Sequence, residues 1–97
     1  MREPEPQWTL VLTQTFLREL RKYLKKHPDR VGLVRDTLIA LSNDPQSPSL
    51  RLHQLKGRMA GVSTVRLTYH DRILLVVRVI GRQIVLLDIG THDEVYS

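Results

Sequence analysis

The spacing of apolar residues changes along this chain, and that change constrains the fold more than any other feature. Residues 16–43 carry apolar side chains at helical spacing in two stripes: Leu17, Leu20, Tyr23 and Leu24, then Val31, Val34, Leu38 and Leu41. From Val62 onward apolar and polar residues alternate, as they do in a strand with one buried face. The sequence therefore predicts two amphipathic helices followed by a sheet.

Polar residues and a proline set the ends of the two helices. Thr13 or Thr15 can cap the first helix, because a hydroxyl oxygen accepts a hydrogen bond from an unpaired N–H group of the first turn. Residues 27–29, His-Pro-Asp, separate the helices, since proline disfavours helical geometry in the residue before it. Asp29 is predicted to cap the second helix.

Four strands are predicted around these helices. One precedes the first helix at residues 8–12, and the others follow the second helix at residues 62–70, 72–80 and 83–89. Tight turns at Asp71 and at residues 81–82 make the last three strands antiparallel, and Gly90 is predicted to break the last one. The order strand, helix, helix and three strands predicts an α+β domain, with a mostly antiparallel sheet and a helical hairpin on one face.

A length of 97 residues corresponds to one domain, which is expected to cover residues 1–97. Residues 1–7 are polar and contain two prolines, so they are predicted to be flexible. They lack the apolar stretch of a signal peptide, and the chain has no cysteine, so we expect a cytoplasmic protein. The longest apolar run, residues 73–80, is too short to cross a membrane.

The chain is basic, with a formal net charge of +5. A charge of this sign points to nucleic acid or to an acidic protein as the partner. The half of the chain that contains three of the four histidines also contains a set of basic residues, Arg51, Lys56, Arg58, Arg66, Arg72, Arg78 and Arg82. The basic surface and the candidate chemistry are therefore predicted to coincide.

Three short clusters carry side chains that can transfer protons or bind phosphate. They span residues 53–57, 66–72 and 90–96. In the last cluster His92 and Tyr96 are four residues apart, which is the spacing of one helical turn. Imidazole exchanges protons near neutral pH, and arginine presents a planar, permanently charged group to phosphate. Three such clusters indicate a single anionic substrate.

The order and spacing of these clusters resemble those of the RelE/YafQ toxins, members of the RelE/ParE superfamily in bacterial type II toxin–antitoxin modules. The resemblance rests on His-x-Leu-x-Gly at 53–57, Arg-x-x-Tyr-His-Asp-Arg at 66–72 and Gly-Thr-His-x-x-x-Tyr at 90–96, and it extends from Trp8 to Tyr96. It implies a RelE-like fold and an endoribonuclease that cleaves messenger RNA, usually at the ribosome. It also implies a cognate antitoxin that holds the enzyme inactive.

The resemblance assigns catalytic positions to six residues, His53, Arg66, His70, Arg72, His92 and Tyr96. His53 and His92 match the first and the terminal histidines of YafQ-like members. Arg66 and His70 depart from that pattern, since YafQ-like members have a histidine and an aspartate at these positions. Arg72 resembles the RelE arginine that contacts the scissile phosphate, and Tyr96 resembles the terminal aromatic residue of the family.

RNA carries its own nucleophile, the 2′-hydroxyl group, so cleavage of this kind needs no metal ion. It needs a base at that hydroxyl, an acid at the 5′-oxygen leaving group and cations near the phosphorus atom. The residue types predict His53 or His70 as the base and His92 as the acid. Arg66 and Arg72 are predicted to bind the phosphate, and the product is expected to end in a 2′,3′-cyclic phosphate.

Four further basic residues of the second half are predicted to contact the RNA backbone: Arg51, Lys56, Arg58 and Arg78. Tyr96 is expected to orient the nucleotide or to stack on a base. No cofactor or metal is predicted, because the four histidines lack short ligand spacing and have no cysteine companions. The expected partners are messenger RNA, the ribosome and the antitoxin, with DNA reached only through the antitoxin complex and no membrane.

Other interpretations of the same residues stay open. ParE-like toxins share the architecture and poison DNA gyrase without cleaving RNA, and they do not require this set of histidines and arginines. An inactive homologue that only binds its antitoxin is a third interpretation. Among single residues, His27 and Arg82 are expected at the surface, and Tyr69 is expected in the core because it shares strand parity with Val65 and Leu67.

Overall fold

The computed structural model describes residues 7–96, and for Tyr96 it describes the backbone alone. Within these residues the elements are β1 Thr9–Leu12, α1 Gln14–Lys26, α2 Val31–Asn43, β2 His53–Gln54, β3 Ser63–Arg66, β4 Asp71–Arg78, β5 Gln83–Thr91 and α3 His92–Tyr96. The predicted α+β class is confirmed. The flexible segment predicted at 1–7 lies outside the described residues except for Gln7, whose side chain accepts a hydrogen bond from Arg82 at 2.7 Å.

The strands form one five-stranded sheet in the order β1-β5-β4-β3-β2. β1 is parallel to β5, and the other neighbouring strands are antiparallel. The parallel pair joins the two ends of the chain, with Thr9 opposite Gln83 and Leu12 opposite Leu86. The mostly antiparallel sheet predicted from the tight turns is confirmed.

Thr13 fixes the start of α1 and ties the helix to the sheet. Its Oγ1 accepts a hydrogen bond from the backbone N–H of Phe16 at 3.1 Å and donates one to the carbonyl of Leu86 in β5 at 2.7 Å. The predicted cap by Thr13 is thus confirmed. Phe16 and Tyr23 are the buried residues of α1, and the helix packs against β5.

A 3₁₀ turn at Pro28–Arg30 separates α1 from α2, at the position predicted from the proline. The predicted cap by Asp29 is wrong. Asp29 lies inside the 3₁₀ turn, so Arg30 occupies the cap position of α2, and no side chain donates or accepts a hydrogen bond there. Val34 and Leu41 of α2 are buried, whereas Val31 at its start is 52% exposed.

The sheet contains a short strand that the sequence analysis does not predict. Residues His53–Gln54 form β2 and pair antiparallel with β3, so that His53 lies opposite Thr64. Two residues are too few to show an alternating pattern, and only their partner strand defines them as a strand. β2 therefore places His53 on the edge of the sheet rather than in a loop.

β3 ends earlier than the alternating pattern predicts. The strand stops at Arg66, and residues 67–70 form a bend before β4 begins. Thr68 stabilises this bend, because its Oγ1 accepts hydrogen bonds from the backbone N–H groups of His70 and Asp71. The predicted core position of Tyr69 is wrong: the bend turns the residue outward, and it is 77% exposed.

The last strand also differs from its predicted bounds. Gly81 and Arg82 form the predicted turn between β4 and β5, with φ angles of 83° and 48°. β5 then continues through Gly90 to Thr91, so the predicted break at Gly90 is wrong. Gly90 packs closely against α3, since a Cβ atom at this position would lie 3.3 Å from Oε1 of Glu94.

The core lies between the helices and one face of the sheet. Its fully buried side chains are Phe16, Leu41, Val65, Ile73, Leu75, Ile84 and Leu86. Val65 and Ile73 are paired neighbours on β3 and β4, so the residues that alternate with them lie on the opposite face. Within residues 7–96, no helix is long and apolar enough to span a membrane.

Candidate active site

An open cleft of about 410 Å³ lies on the sheet face opposite the core. Its lining residues are Arg51, His53, Leu55, Thr64, Arg66, Arg72 and His92. Four of the six predicted catalytic positions therefore line one cleft, although they come from four different elements, β2, β3, β4 and α3.

Strand register brings these side chains together. Arg66 on β3 lies directly opposite Arg72 on β4, and Arg72 lies opposite Gly90 on β5. Paired residues of adjacent strands place their side chains on the same face, so the two guanidinium groups share one surface. His53 enters from β2, and His92 follows β5 at the start of α3. The cleft therefore extends across β2, β3, β4 and the start of α3.

Every ionisable side chain that lines the cleft is basic. Three are arginines and two are histidines, and none of the seven lining residues is a carboxylate. Such a concentration of positive charge attracts anions and favours the binding of phosphate. The two imidazole groups add side chains that can accept or donate a proton. The cleft therefore combines groups that can bind a phosphate with groups that can transfer protons.

Arg72 is held in place by the bend that precedes β4. Its Nη1 donates to the carbonyl oxygens of Thr68 at 3.0 Å, Tyr69 at 3.3 Å and Asp71 at 3.0 Å. These hydrogen bonds fix one end of a long side chain that would otherwise occupy many rotamers. The guanidinium group is therefore positioned before any substrate binds.

Asp71 anchors the same bend in the protein interior. Its carboxylate is 3% exposed and accepts hydrogen bonds from the hydroxyl of Tyr23 at 2.6 Å and from Nη1 of Arg30 at 2.7 Å. Burial and the hydrogen bond to Asp71 raise the pKa of Tyr23 to about 12. The sequence pattern does not predict this group, because the helical spacing indicates that Tyr23 is buried without giving a partner for its hydroxyl, and Asp71 is predicted in a turn.

His92 is positioned by the first turn of α3. The hydroxyl of Thr91 accepts a hydrogen bond from the N–H of Glu94 at 3.2 Å, and the carboxylate of Glu94 accepts one from the N–H of Thr91 at 3.0 Å. Hydrogen bonds to this carboxylate from the backbone N–H and the side chain of Thr91 lower the pKa of Glu94 below its ordinary value. The backbone N–H of His92 also donates to the carbonyl of His70 at 3.1 Å, which links α3 to the bend.

Arg66 connects the cleft to an exposed aromatic ring. Its Cζ atom lies 5.7 Å from the ring centroid of Tyr69, within the range of a cation–π interaction. Its Nε atom is buried and has no hydrogen-bond acceptor among the described residues. Strand parity places Tyr69 in the core and therefore does not predict this contact.

The structure does not bring the other two predicted catalytic residues into the cleft. His70 is exposed in the bend, with its ring centroid 5.1 Å from that of Tyr69, and it is not a lining residue. The prediction for Tyr96 concerns its side chain, which lies outside the described part of the structure. His53 is accordingly the better placed of the two histidines predicted as the base.

Of the four predicted RNA-binding residues, one lines the cleft and three lie outside its lining. Arg51 lines the cleft. Lys56 and Arg58 are exposed in the segment between β2 and β3, outside the cleft lining. Arg78 is exposed at the opposite end of β4 from Arg72, where it pairs with Gln83. Among the described residues, no group of three or more histidine, cysteine, aspartate or glutamate side chains could hold a metal ion.

Comparison with protein-family models gives no match, and comparison with the sequences of curated proteins gives none either. The fold matches solved toxin structures. YafQ from E. coli strain BL21(DE3) aligns with a TM-score of 0.77 and 13% identity over 94% of this chain and 100% of that chain. The YoeB/ParE toxin from Agrobacterium tumefaciens aligns with a TM-score of 0.74 and 21% identity over 87% and 98% of the two chains. A chain of the toxin–antitoxin complex RelBE2 from Mycobacterium tuberculosis aligns with a TM-score of 0.60 and 18% identity, over 90% and 99%.

These similarities confirm, at the level of the fold, the resemblance to RelE/YafQ toxins predicted from the sequence. The protein therefore has the α+β fold of this class of toxin. Because one fold can carry different activities, the side chains of the cleft bear on the function more directly than the fold does.

Proposed function

We propose that the protein is the toxin of a type II toxin–antitoxin module and acts as a metal-independent endoribonuclease on messenger RNA. The observation that carries this proposal is the cleft itself, in which two histidines and three arginines surround a space without a carboxylate. A protein that acted only by binding a partner would not need two imidazoles beside three guanidinium groups.

In the proposed reaction the RNA supplies the nucleophile. The base, His53, removes the proton from the 2′-hydroxyl group, and the 2′-oxygen forms a bond to phosphorus. The bond between phosphorus and the 5′-oxygen breaks, and His92 donates a proton to that oxygen. The products are one fragment with a 2′,3′-cyclic phosphate and one with a 5′-hydroxyl group, so no oxidant, metal ion or further reactant is consumed.

The arginines stabilise the charge that develops during this reaction. Arg66 and Arg72 lie opposite each other in the sheet and would contact the non-bridging oxygens of the scissile phosphate. Arg51, at the edge of the cleft, would bind a neighbouring phosphate. The role proposed for Tyr96 remains base stacking or nucleotide orientation.

The proposed partners are a cognate antitoxin and the translating ribosome with its messenger RNA. RelBE2, with a fold similar to that of this chain, is a complex of toxin and antitoxin. The basic cleft suits an acidic or amphipathic antitoxin segment that folds over it. Contact with DNA would occur only through the antitoxin, and the proposed site of action is the cytoplasm.

Expression of the protein without its antitoxin tests this proposal against the ParE-like alternative. We expect growth to stop because translation stops, with transcripts cut inside their coding regions. The His92→Gln variant should restore growth and leave transcripts intact, whereas His27→Gln, outside the cleft, should remain toxic. Growth arrest with DNA breaks and intact transcripts would instead support a gyrase poison.

A further inference from the structure

Tyr69 is an exposed aromatic ring next to the phosphate-binding side of the cleft. It is 77% exposed. The other large hydrophobic side chains that are exposed within residues 7–95 are all aliphatic. If the alternating pattern of β3 continued, Tyr69 would lie in the core. Its exposure to water therefore loses the favourable free energy of burying a large ring. The bend at residues 67–70 turns it outward instead.

The backbone that carries this exposed ring is held by hydrogen bonds, and two neighbouring side chains contact the ring itself. Its backbone carbonyl accepts a hydrogen bond from Arg72, and Thr68 and Asp71 on either side are held by further hydrogen bonds. Arg66 lies over the ring at 5.7 Å, and the ring of His70 meets it edge-on at 84°. Such preorganisation reduces the entropy lost when a ligand binds.

Tyr69 contacts both of the arginines that lie side by side on the cleft face of β3 and β4. Arg66 interacts with its ring and Arg72 with its carbonyl group, and both arginines line the cleft. A nucleotide whose phosphate binds these two guanidinium groups would therefore carry its own base, or the base of its neighbour, to the Tyr69 ring. Proteins that bind single-stranded RNA use aromatic rings and arginine planes in this way, because every base has a face that stacks.

We propose that Tyr69 is a base-stacking residue for the RNA bound in the cleft. This inference rests on the proposed function, because it takes RNA as the ligand. Tyr69 binds one unstacked base, and the adjacent Arg66 and Arg72 bind the phosphate of the same or the neighbouring nucleotide. The residue contributes to substrate binding rather than to proton transfer.

A binding experiment with short RNA tests the stacking. The RNA carries a single 2′-deoxy position at the cleavage site so that it binds without being cut, and a series of such RNAs carries one abasic nucleotide at each position in turn. Binding of wild type, Tyr69→Leu and Tyr69→Trp is measured at low salt. Ile80→Ala is the matched control, because Ile80 is 94% exposed at the hairpin between β4 and β5.

We expect Tyr69→Leu to bind the complete RNA about 5-fold to 150-fold more weakly than wild type, because loss of one stacked base corresponds to roughly this factor. Tyr69→Trp should bind at least as tightly as wild type, and Ile80→Ala should bind like wild type. One abasic position should weaken wild type by a similar factor and abolish the difference between wild type and Tyr69→Leu. Equal binding of wild type and Tyr69→Leu, or a loss that is the same on every abasic RNA, overturns the inference.

The same RNAs with a 2′-hydroxyl at every position separate this inference from the proposed function. If wild type and Tyr69→Leu cleave and bind the complete RNA equally well, the stacking role is wrong and the nuclease stands. If wild type binds with the expected abasic pattern but does not cleave, the stacking role stands and the nuclease is wrong. Failure of wild type to bind any of these RNAs contradicts both.

Discussion

The hydroxyl of Tyr23 donates a 2.6 Å hydrogen bond to the carboxylate of Asp71, and this bond joins helix α1 to the first residue of β4. Arg30, from the turn between the two helices, donates to the same carboxylate oxygen at 2.7 Å. The residue after Asp71 is Arg72, which lines the cleft. A buried polar group on one side of the sheet therefore supports the bend that holds Arg72 in the candidate site on the other side.

Replacing Tyr23 by Phe is expected to lower the free energy of unfolding by about 1.5–3 kcal/mol, because hydrogen bonds to charged groups contribute on this scale. The buried carboxylate of Asp71 would lose one of its two side-chain donors. Urea denaturation of wild type and Tyr23→Phe measures the difference. Tyr69→Phe is the matched control, since its hydroxyl is on an exposed residue, and an equal loss in both variants would contradict the assignment.

The pKa of Tyr23 predicts how stability changes at alkaline pH. Burial raises this pKa from its ordinary value of 10.0 to about 12, so the folded protein holds the phenolic proton more tightly than the unfolded chain does. The stabilisation is complete below about pH 10 and is lost as the pH rises from about 10 to about 12. The difference in unfolding free energy between wild type and Tyr23→Phe should therefore narrow in that interval. A constant difference would show that the phenol titrates normally.

The capping hydrogen bonds between Thr91 and Glu94 are expected to control the position of His92. Glu94→Ala should weaken the first turn of α3 and reduce cleavage, although Glu94 does not line the cleft. Thr91→Ala should act in the same direction, because it removes the other half of the pair. Cleavage rates and circular dichroism of both variants should be compared with those of Asp36→Ala, an exposed carboxylate on α2. Unchanged rates in both capping variants would contradict a positioning role.

Lowering the pH should weaken the first turn of α3, as the Glu94→Ala substitution does. The pKa of Glu94 is lowered by its hydrogen bonds to Thr91, so the stabilisation is present above its ordinary value of 4.5 and is lost as the pH falls below that value. Glu94→Ala should therefore lose less stability than wild type does in that pH range.

Arg72 and Arg78 provide a matched pair on one strand. Arg72 lines the cleft, whereas Arg78 lies at the opposite end of β4. Arg72→Ala is expected to lower kcat/KM by about 10²-fold to 10³-fold, as the loss of one group that stabilises transition-state charge does. Arg78→Ala should change kcat/KM by less than about tenfold through weaker RNA attraction alone. Similar losses in both variants would indicate general charge attraction rather than a defined phosphate site.

The sequence predicts the helices and most of the sheet well because their patterns are long. Both helical stripes span several turns, and β4 and β5 are mainly apolar runs of eight and nine residues. β2 is missed because two residues carry no period, although it is the strand that holds His53. Strand parity fails at Tyr69 because the hydroxyl of Thr68 binds the backbone of the bend, an interaction that no hydrophobic pattern contains.

Most of the cleft residues could be found from the sequence, but their grouping could not be fully predicted. His53, Arg66, Arg72 and His92 are recognisable as motif residues, and the sheet register brings them together. His70 belongs to the same motif and points elsewhere, because the bend begins before it. The support from Tyr23, Arg30 and Asp71 depends on contacts between distant residues, which only the folded chain shows.

The most direct test of the account is to cleave a ribosome-free RNA with purified wild type, His53→Gln, His70→Gln and His92→Gln in the presence of EDTA and to identify the product ends. We expect wild type to give a 2′,3′-cyclic phosphate and a 5′-hydroxyl group. The His53 and His92 variants should be about 10²-fold to 10⁴-fold slower, as the loss of an acid or base catalyst predicts, and the His70 variant less than about tenfold slower. Products that end in a 3′-hydroxyl group, or full activity without His53 and His92, would contradict the proposed mechanism.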